Sequence, residues 1–202
     1  NYPQVRANLD DGETERMARA FGVPVVINTG FRKGSLREAA HRGGVPVIVY
    51  EAGEALRFDE SCIRAGVSGV VRVMRALGML PPSKRRREPP EPLVARSSAW
   101  LRAPASGVLR PAVPLGHRVK QGDVLGVVGD PFGDNEVEVA ARASGVVIGR
   151  SNLPLVHEGD ALFHIVHVEG TQVAARALDA FEPEADYEVG LTSELADEPP
   201  IV

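Results

Sequence analysis

Cysteine is almost missing from this chain. Cys62 is the only one in 202 residues, which excludes an internal disulfide and any cysteine-based zinc site. A reducing compartment, and hence a cytoplasmic location, is the expectation. No apolar run approaches the roughly 18 residues that span a bilayer, so no membrane partner is expected. Asn1-Tyr2-Pro3-Gln4 has no basic region followed by an apolar stretch, so it does not read as a signal peptide. The chain does not begin with Met, and further sequence upstream is expected. Lysine is scarce, limited to Lys33, Lys84 and Lys120, and the net charge of -4 gives no reason to expect a nucleic-acid partner. What is present fits a soluble globular protein, with 44% apolar and 25% charged residues. There is room for one ordinary domain or two small ones.

Composition divides the chain. The stretch from Pro81 to Pro92 reads PPSKRRREPPEP. Its prolines break elements and its charges cannot form a core, so residues 81–95 are expected to be a linker, with Lys84 to Arg87 a solvated run. Before it, residues 1–80 alternate helix and strand signals. Asp10 and Asp11 cap a helix that Gly22 ends. Val23 to Ile27 and Val45 to Tyr50 are β-branched runs, expected as buried strands. Ser35-Leu36-Arg37-Glu38 has capping-box spacing and opens a helix to about Arg42. Asp59 opens a longer helix whose apolar stripe is Ile63, Val67, Val70, Val71, Met74 and Leu77. The alternation predicts an α/β layer, though two strands leave it incomplete without further sheet from upstream.

After the linker, residues 96–169 read as all-β, in short runs separated by Gly, Pro and Asp. They also repeat. Arg102-Ala103-Pro104-Ala105-Ser106-Gly107-Val108 returns about 38 residues later as Ala140-Ala141-Arg142-Ala143-Ser144-Gly145-Val146. Val119-Lys120-Gln121-Gly122-Asp123 returns about 37 residues later as Val156-His157-Glu158-Gly159-Asp160. Such a repeat predicts two similar units that cover each other's apolar face, with the Gly-Asp pairs at tight turns. This half resembles the barrel-sandwich fold of biotinyl and lipoyl carrier domains. Those domains carry a modified lysine on the hairpin between their half-repeats. The matching hairpin here, near Asp130 to Asn135, has none, so a swinging-arm carrier is not expected. Residues 170–202 are acidic. A helix over Val173 to Phe181 and an extended tail beyond it are expected.

Chemistry concentrates in Gly34 to Glu60, GSLREAAHRGGVPVIVYEAGEALRFDE. Together with NYPQVRANLDD at the start, it resembles the later part of the catalytic domain of the succinylglutamate desuccinylase/aspartoacylase family, deacylases built like zinc carboxypeptidases. The strand and its exit, Val47-Ile48-Val49-Tyr50-Glu51-Ala52-Gly53, and the β-repeat that follows match the family's order of parts over roughly residues 1–168. The resemblance implies an α/β, partial zinc-carboxypeptidase-like sheet followed by the all-β barrel-sandwich domain. It implies that Glu51 is the general base and acid of a zinc-dependent amidohydrolase acting on a small N-acyl amino acid or amine.

The residues themselves support Glu51. A carboxylate delivered by an apolar strand to the C-terminal edge of an α/β sheet lies where ligands collect. Such a group is expected to take a proton from water and pass it to a leaving amine. The competing reading is a glutamate paired with an arginine such as Arg57. For a substrate anion, arginine's planar fork is the suitable partner. Arg6 and Arg37, with Asn8, are the candidates, set against a background of 20 arginines that mostly serve solubility. Tyr50 is expected to point away from Glu51 and to pack.

No histidine begins an H-x-x-E pair. His164 and His167 lie in one strand on opposite faces, His117 and His157 in polar turns, and His41 at a helix end. The resemblance places all three zinc ligands upstream of Asn1. Zinc is therefore expected in the complete protein, none held by this chain alone, and no hydrolysis by this chain alone. The expected partners are the N-acyl substrate and either a missing N-terminal half or further copies in a homo-oligomer. The alternative is a non-catalytic binding or assembly module built on the β domain.

Overall fold

The computed structural model describes residues 1–83, 91–133, 135–168, 178, 179 and 181. The basic run at 84–87 and most of the segment from 170 onward lie outside them.

Strand β1 (Gln4–Ala7) leads into helix α1 (Gly12–Phe21), and strand β2 (Val25–Asn28) returns parallel to β1. Asp11 caps α1, its Oδ1 accepting from the Thr14 N–H at 2.8 Å, and Gly22 leaves it at a φ of 82°. Helix α2 (Leu36–Arg42) starts at Ser35, whose Oγ accepts from the Glu38 N–H at 3.2 Å. Strand β3 (Val49–Glu51) runs antiparallel to β1 at the sheet edge, and helix α3 (Glu60–Ala76) follows from its cap, Asp59. The expected strand over Val45 to Tyr50 is shorter and less buried than its composition implied. Only its last two residues, together with Glu51, pair with β1.

The linker reading of 81–95 does not hold at its end. Leu93–Ala95 form strand β4, parallel to β2, and complete a sheet ordered β3-β1-β2-β4. Leu93 and Ala95 are buried in it.

The expected α3 stripe also needs correction. The buried positions are Ala65, Gly69 and Val73, whereas Ile63, Val67 and Val70 are 41%, 43% and 53% exposed. Small residues let α3 approach two rings. A Cβ on Gly69 would lie 2.2 Å from Phe21 Cε1, and one on Gly66 would lie 2.9 Å from Tyr50 Cε1. Close packing of helix backbone on aromatic rings has taken precedence over burial of the larger aliphatic side chains.

The second half is two four-stranded antiparallel sheets. One contains β5 (Ser98–Arg102), β12 (Ala161–His167), β10 (Gly145–Arg150) and β7 (Arg118–Val119), in that order. The other contains β11 (Leu155–Val156), β6 (Gly107–Pro111), β8 (Val124–Gly129) and β9 (Glu136–Ala140). Leu109, Leu125, Val147, Leu162 and Phe163 are among the buried residues they share. The repeat is visible bond by bond. Asp123 Oδ2 accepts from the Lys120 N–H at 2.7 Å, and Asp160 Oδ2 from the His157 N–H at 2.8 Å. Ser106 Oγ of the first unit accepts from the Glu158 N–H of the second, and Ser144 Oγ of the second from the Gln121 N–H of the first. Each unit thus closes the other's turn.

The two halves share a core. Val25, Ile27, Leu93 and Ala95 of the first sheet pack with Val146, Ile148 and Val166 of β10 and β12. Tyr2 donates its backbone N–H to the Ile148 carbonyl at 2.8 Å. The β10 and β12 runs are buried almost throughout because each lies between two layers. No helix among the described residues is long and apolar enough to cross a membrane.

Candidate functional site

Antiparallel pairing sets Gln4 opposite Glu51, Val5 opposite Tyr50 and Arg6 opposite Val49. Side chains alternate along a strand. Val5, Ala7 and Tyr50 therefore join the core beneath α1 and α3, while Gln4, Arg6 and Glu51 share the other face, toward the β half. Tyr50 packs as expected, its ring 5.0 Å from that of Phe21 and its hydroxyl donating to the Cys62 carbonyl.

On the polar face, Arg6 Nε donates to Glu51 Oε2 at 2.9 Å and Gln4 Nε2 donates to the same oxygen at 3.2 Å. Glu51 Oε1 receives neither bond. Arg6 and Glu51 are 23% and 35% exposed. A pair this open adds little stability, and its effect is to orient the carboxylate. Glu51 therefore sits between a cation and an amide rather than among apolar side chains, and its ion-pair partner is Arg6. Arg57 instead pairs with Glu54. Since β3 is antiparallel, Glu51 also lies at the end of β1 opposite to Ala7, away from the carboxyl edge of the three parallel strands. Gln4 is fully buried, and its Oε1 has no hydrogen-bond partner.

Arg37 approaches the same group from α2. Its Nη1 and Nη2 donate to Thr29 Oγ1 and the Thr29 carbonyl at 2.9 and 2.8 Å, and its guanidinium lies 5.5 Å from the Phe31 ring centroid. Burial lowers its pKa first, the charge of Arg6 lowers it further, and Glu51 opposes both. Asn8 is occupied elsewhere, its Oδ1 accepting from the Asp10 N–H in the turn after β1. The structure thus joins Arg6 and Glu51, sets Arg37 within their electrostatic reach, and leaves Asn8 in a turn.

One residue of this neighbourhood was missed by sequence reasoning. His164 is 5% exposed on β12, with Nε2 2.9 Å from Ser98 Oγ and its ring stacked on Trp100 at 4.6 Å between centroids. Burial first and the charge of Arg6 second bring its pKa down to about 4, with Glu51 opposing both. Both members of the Arg6–Glu51 pair therefore act on it. The signal was available, because Leu162 to Val166 is an apolar run around one histidine, and such a run in a strand is covered on both faces.

The exit from β3 is tied to the β half. Asn1 and Gly53 exchange backbone bonds of 2.7 and 2.9 Å, and Asn152 Nδ2 donates to Glu54 Oε2 at 2.9 Å. A cavity of about 300 Å³ is lined by Tyr2, Pro3, Asp59, Ser61, Cys62 and Leu115 among others, but by none of the Glu51 group. No three His, Cys, Asp or Glu side chains among the described residues converge as a metal ion requires. These residues do not fit a zinc ion on their own.

No protein-family profile and no curated protein matches the chain. Solved structures do. A succinylglutamate desuccinylase/aspartoacylase from Rhodobacter sphaeroides aligns with 83% of this chain and 54% of its own at 21% identity, with a TM-score of 0.70. The ectoine utilization protein EutE (DoeB) from Ruegeria pomeroyi aligns with 83% and 55% at 21% identity and a TM-score of 0.72. A succinylglutamate desuccinylase from Silicibacter sp. TM1040 aligns with 83% and 54% at 23% identity and a TM-score of 0.71. The resemblance stated from the residues thus recurs in the fold, and the chain spans about half the length of the structures it matches.

Proposed function

We propose that this chain is part of a deacylase that hydrolyses the amide of a small N-acyl amino acid or amine, with Glu51 as its general base and acid. The observation that carries the reading is the division of labour on the carboxylate. Arg6 and Gln4 hold Oε2, and Oε1 receives neither of their bonds. A general base needs a fixed, accessible lone pair within hydrogen-bond reach of the proton it takes. Oε1 would take a proton from the water that attacks the acyl carbon and then return it to the leaving nitrogen. The nitrogen departs as a neutral amine, and the acyl group as a carboxylic acid.

Arg6 commits only Nε to Glu51. Its two terminal nitrogens make no hydrogen bond among the described residues, and we assign them to a substrate anion, with Arg37 adding positive charge. We further propose that the complete protein uses zinc, held by ligands outside the described residues. The ion would supply Lewis acidity toward the water and the carbonyl. The described side chains offer no set of ligands for it, so every step assigned above belongs to residues of this chain.

The exposed α3 row of Ile63, Val67 and Val70 supports the second reading, an assembly role. It lies on the α/β half rather than on the β domain. Steady-state assay of the complete protein carrying Glu51→Gln separates the two, because an assembly module loses nothing by it and a deacylase loses turnover.

A further inference from the structure

We propose that the outer face of β5 and β12 is the specificity wall of the Glu51 site, with Trp100 as the platform for the acyl chain of a carboxylate-bearing N-acyl substrate. The inference rests on the deacylase reading. Register carries it. Ser98 pairs with Val166 and Trp100 with His164 across β5 and β12, and Gly149 of β10 pairs with His164. Val166 belongs to the core shared with the α/β sheet. By alternation, Ser98, Trp100 and His164 turn to that same side, the side on which Gln4, Arg6 and Glu51 lie. The junction is therefore apolar at β2 and β4 and polar toward β1 and β3.

Within this wall the indole is built in. His164 stacks on it at an interplanar angle of 11°, and Ser98 fixes the imidazole. A Cβ on Gly149 would lie 3.1 Å from His164 Cβ and 3.5 Å from Trp100 Cη2, so glycine there makes room for the stacked pair. Yet Trp100 stays 43% exposed. A large apolar surface held wet on the side that also carries Arg6 and Glu51 suits a ligand with a methylene chain on one part and an anion on another. Arg6 takes the carboxylate, Trp100 the acyl chain, and His164 is a positioning residue.

Trp100 is the chain's only tryptophan, so its emission reports on this wall alone. The test titrates the chain with N-acetylglycine and N-hexanoylglycine, first by fluorescence and then, for the variants, by calorimetry. The expected result is a saturable emission change, with the longer acyl chain bound about tenfold more tightly, equivalent to ~1.4 kcal/mol. Trp100→Phe should keep that preference and Trp100→Ala should abolish it, each with an unchanged far-ultraviolet circular dichroism spectrum. Equal affinities, no saturable change, or a preference that survives Trp100→Ala overturns the proposal. Glu51→Gln tells the two failures apart. Turnover of the complete protein that survives it overturns the deacylase reading, whereas a chain-length preference that fails to appear overturns only the wall.

Discussion

Arg6 and Glu51 meet through a single nitrogen and a single oxygen, Nε to Oε2 at 2.9 Å. The contact is directional as well as ionic, and the two components can be separated. Arg6→Lys keeps the charge and loses the planar fork that aims the carboxylate. If Glu51 acts as proposed, the expected outcome in the complete protein is a 10- to 100-fold loss in kcat/KM, the scale associated with small misplacements of catalytic groups. An unchanged kcat/KM would mean that Arg6 does not orient Glu51.

Gln4 should show a conflict between stability and activity. It is fully buried, with one amide oxygen unpartnered, and an unsatisfied buried polar atom costs about 1–3 kcal/mol. Gln4→Met removes that cost together with the bond to Glu51 Oε2. The urea midpoint should hold or rise while kcat falls several-fold. A lower midpoint with unaltered kcat would make Gln4 a purely structural residue.

How far the sequence foretold the architecture depended on how local the cause was. Asp11, Ser35 and Asp59 were legible as caps because each acts on an N–H three residues ahead. The β repeat was legible because its Asp side chains close their own turns. The face of α3 was not. Ile63, Val67 and Val70 form the better apolar stripe, and only the rings of Phe21 and Tyr50, distant in sequence, make Ala65, Gly69 and Val73 the buried side. Likewise β4 is three residues beside a proline-rich stretch, and it becomes a strand by pairing with β2. At the candidate site, Glu51 and Arg6 were both candidates from the sequence, while their pairing and the part of Gln4 followed only from the β1–β3 register. The burial of His164 was legible only through the apolar run Leu162 to Val166 around it, which marks a strand covered on both faces.

The α3 packing yields its own prediction. Gly69→Ala puts a methyl into the Phe21 ring, where the space is closed. Overpacking of this kind costs about 1–3 kcal/mol. Chemical denaturation should show a reduced midpoint for Gly69→Ala and little change for Gly12→Ala, where a Cβ would meet nothing within 4 Å. Equal midpoints would contradict the close approach.

His164 gives a pH dependence of known sign. Its folded pKa, lowered from 6.5 to about 4, lies below the unfolded value, so between those values the unfolded chain takes up a proton that the folded one refuses. The stability associated with a neutral His164 is complete above about pH 6.5 and is lost as the pH falls toward 4. Wild type should therefore lose more stability between pH 7 and pH 5 than His164→Gln does. Parallel losses in the two proteins would show that His164 is not held neutral.

The central claim is that Glu51 moves the proton, and one comparison tests it most directly: kcat of the complete, metal-loaded protein against its Glu51→Gln variant on an N-acyl amino acid. Glutamine keeps the shape and removes the basic oxygen. The account predicts a fall in kcat of about 10²–10⁴-fold, with KM nearly unchanged and the urea midpoint within a small shift of wild type. A kcat within twofold of wild type would contradict it.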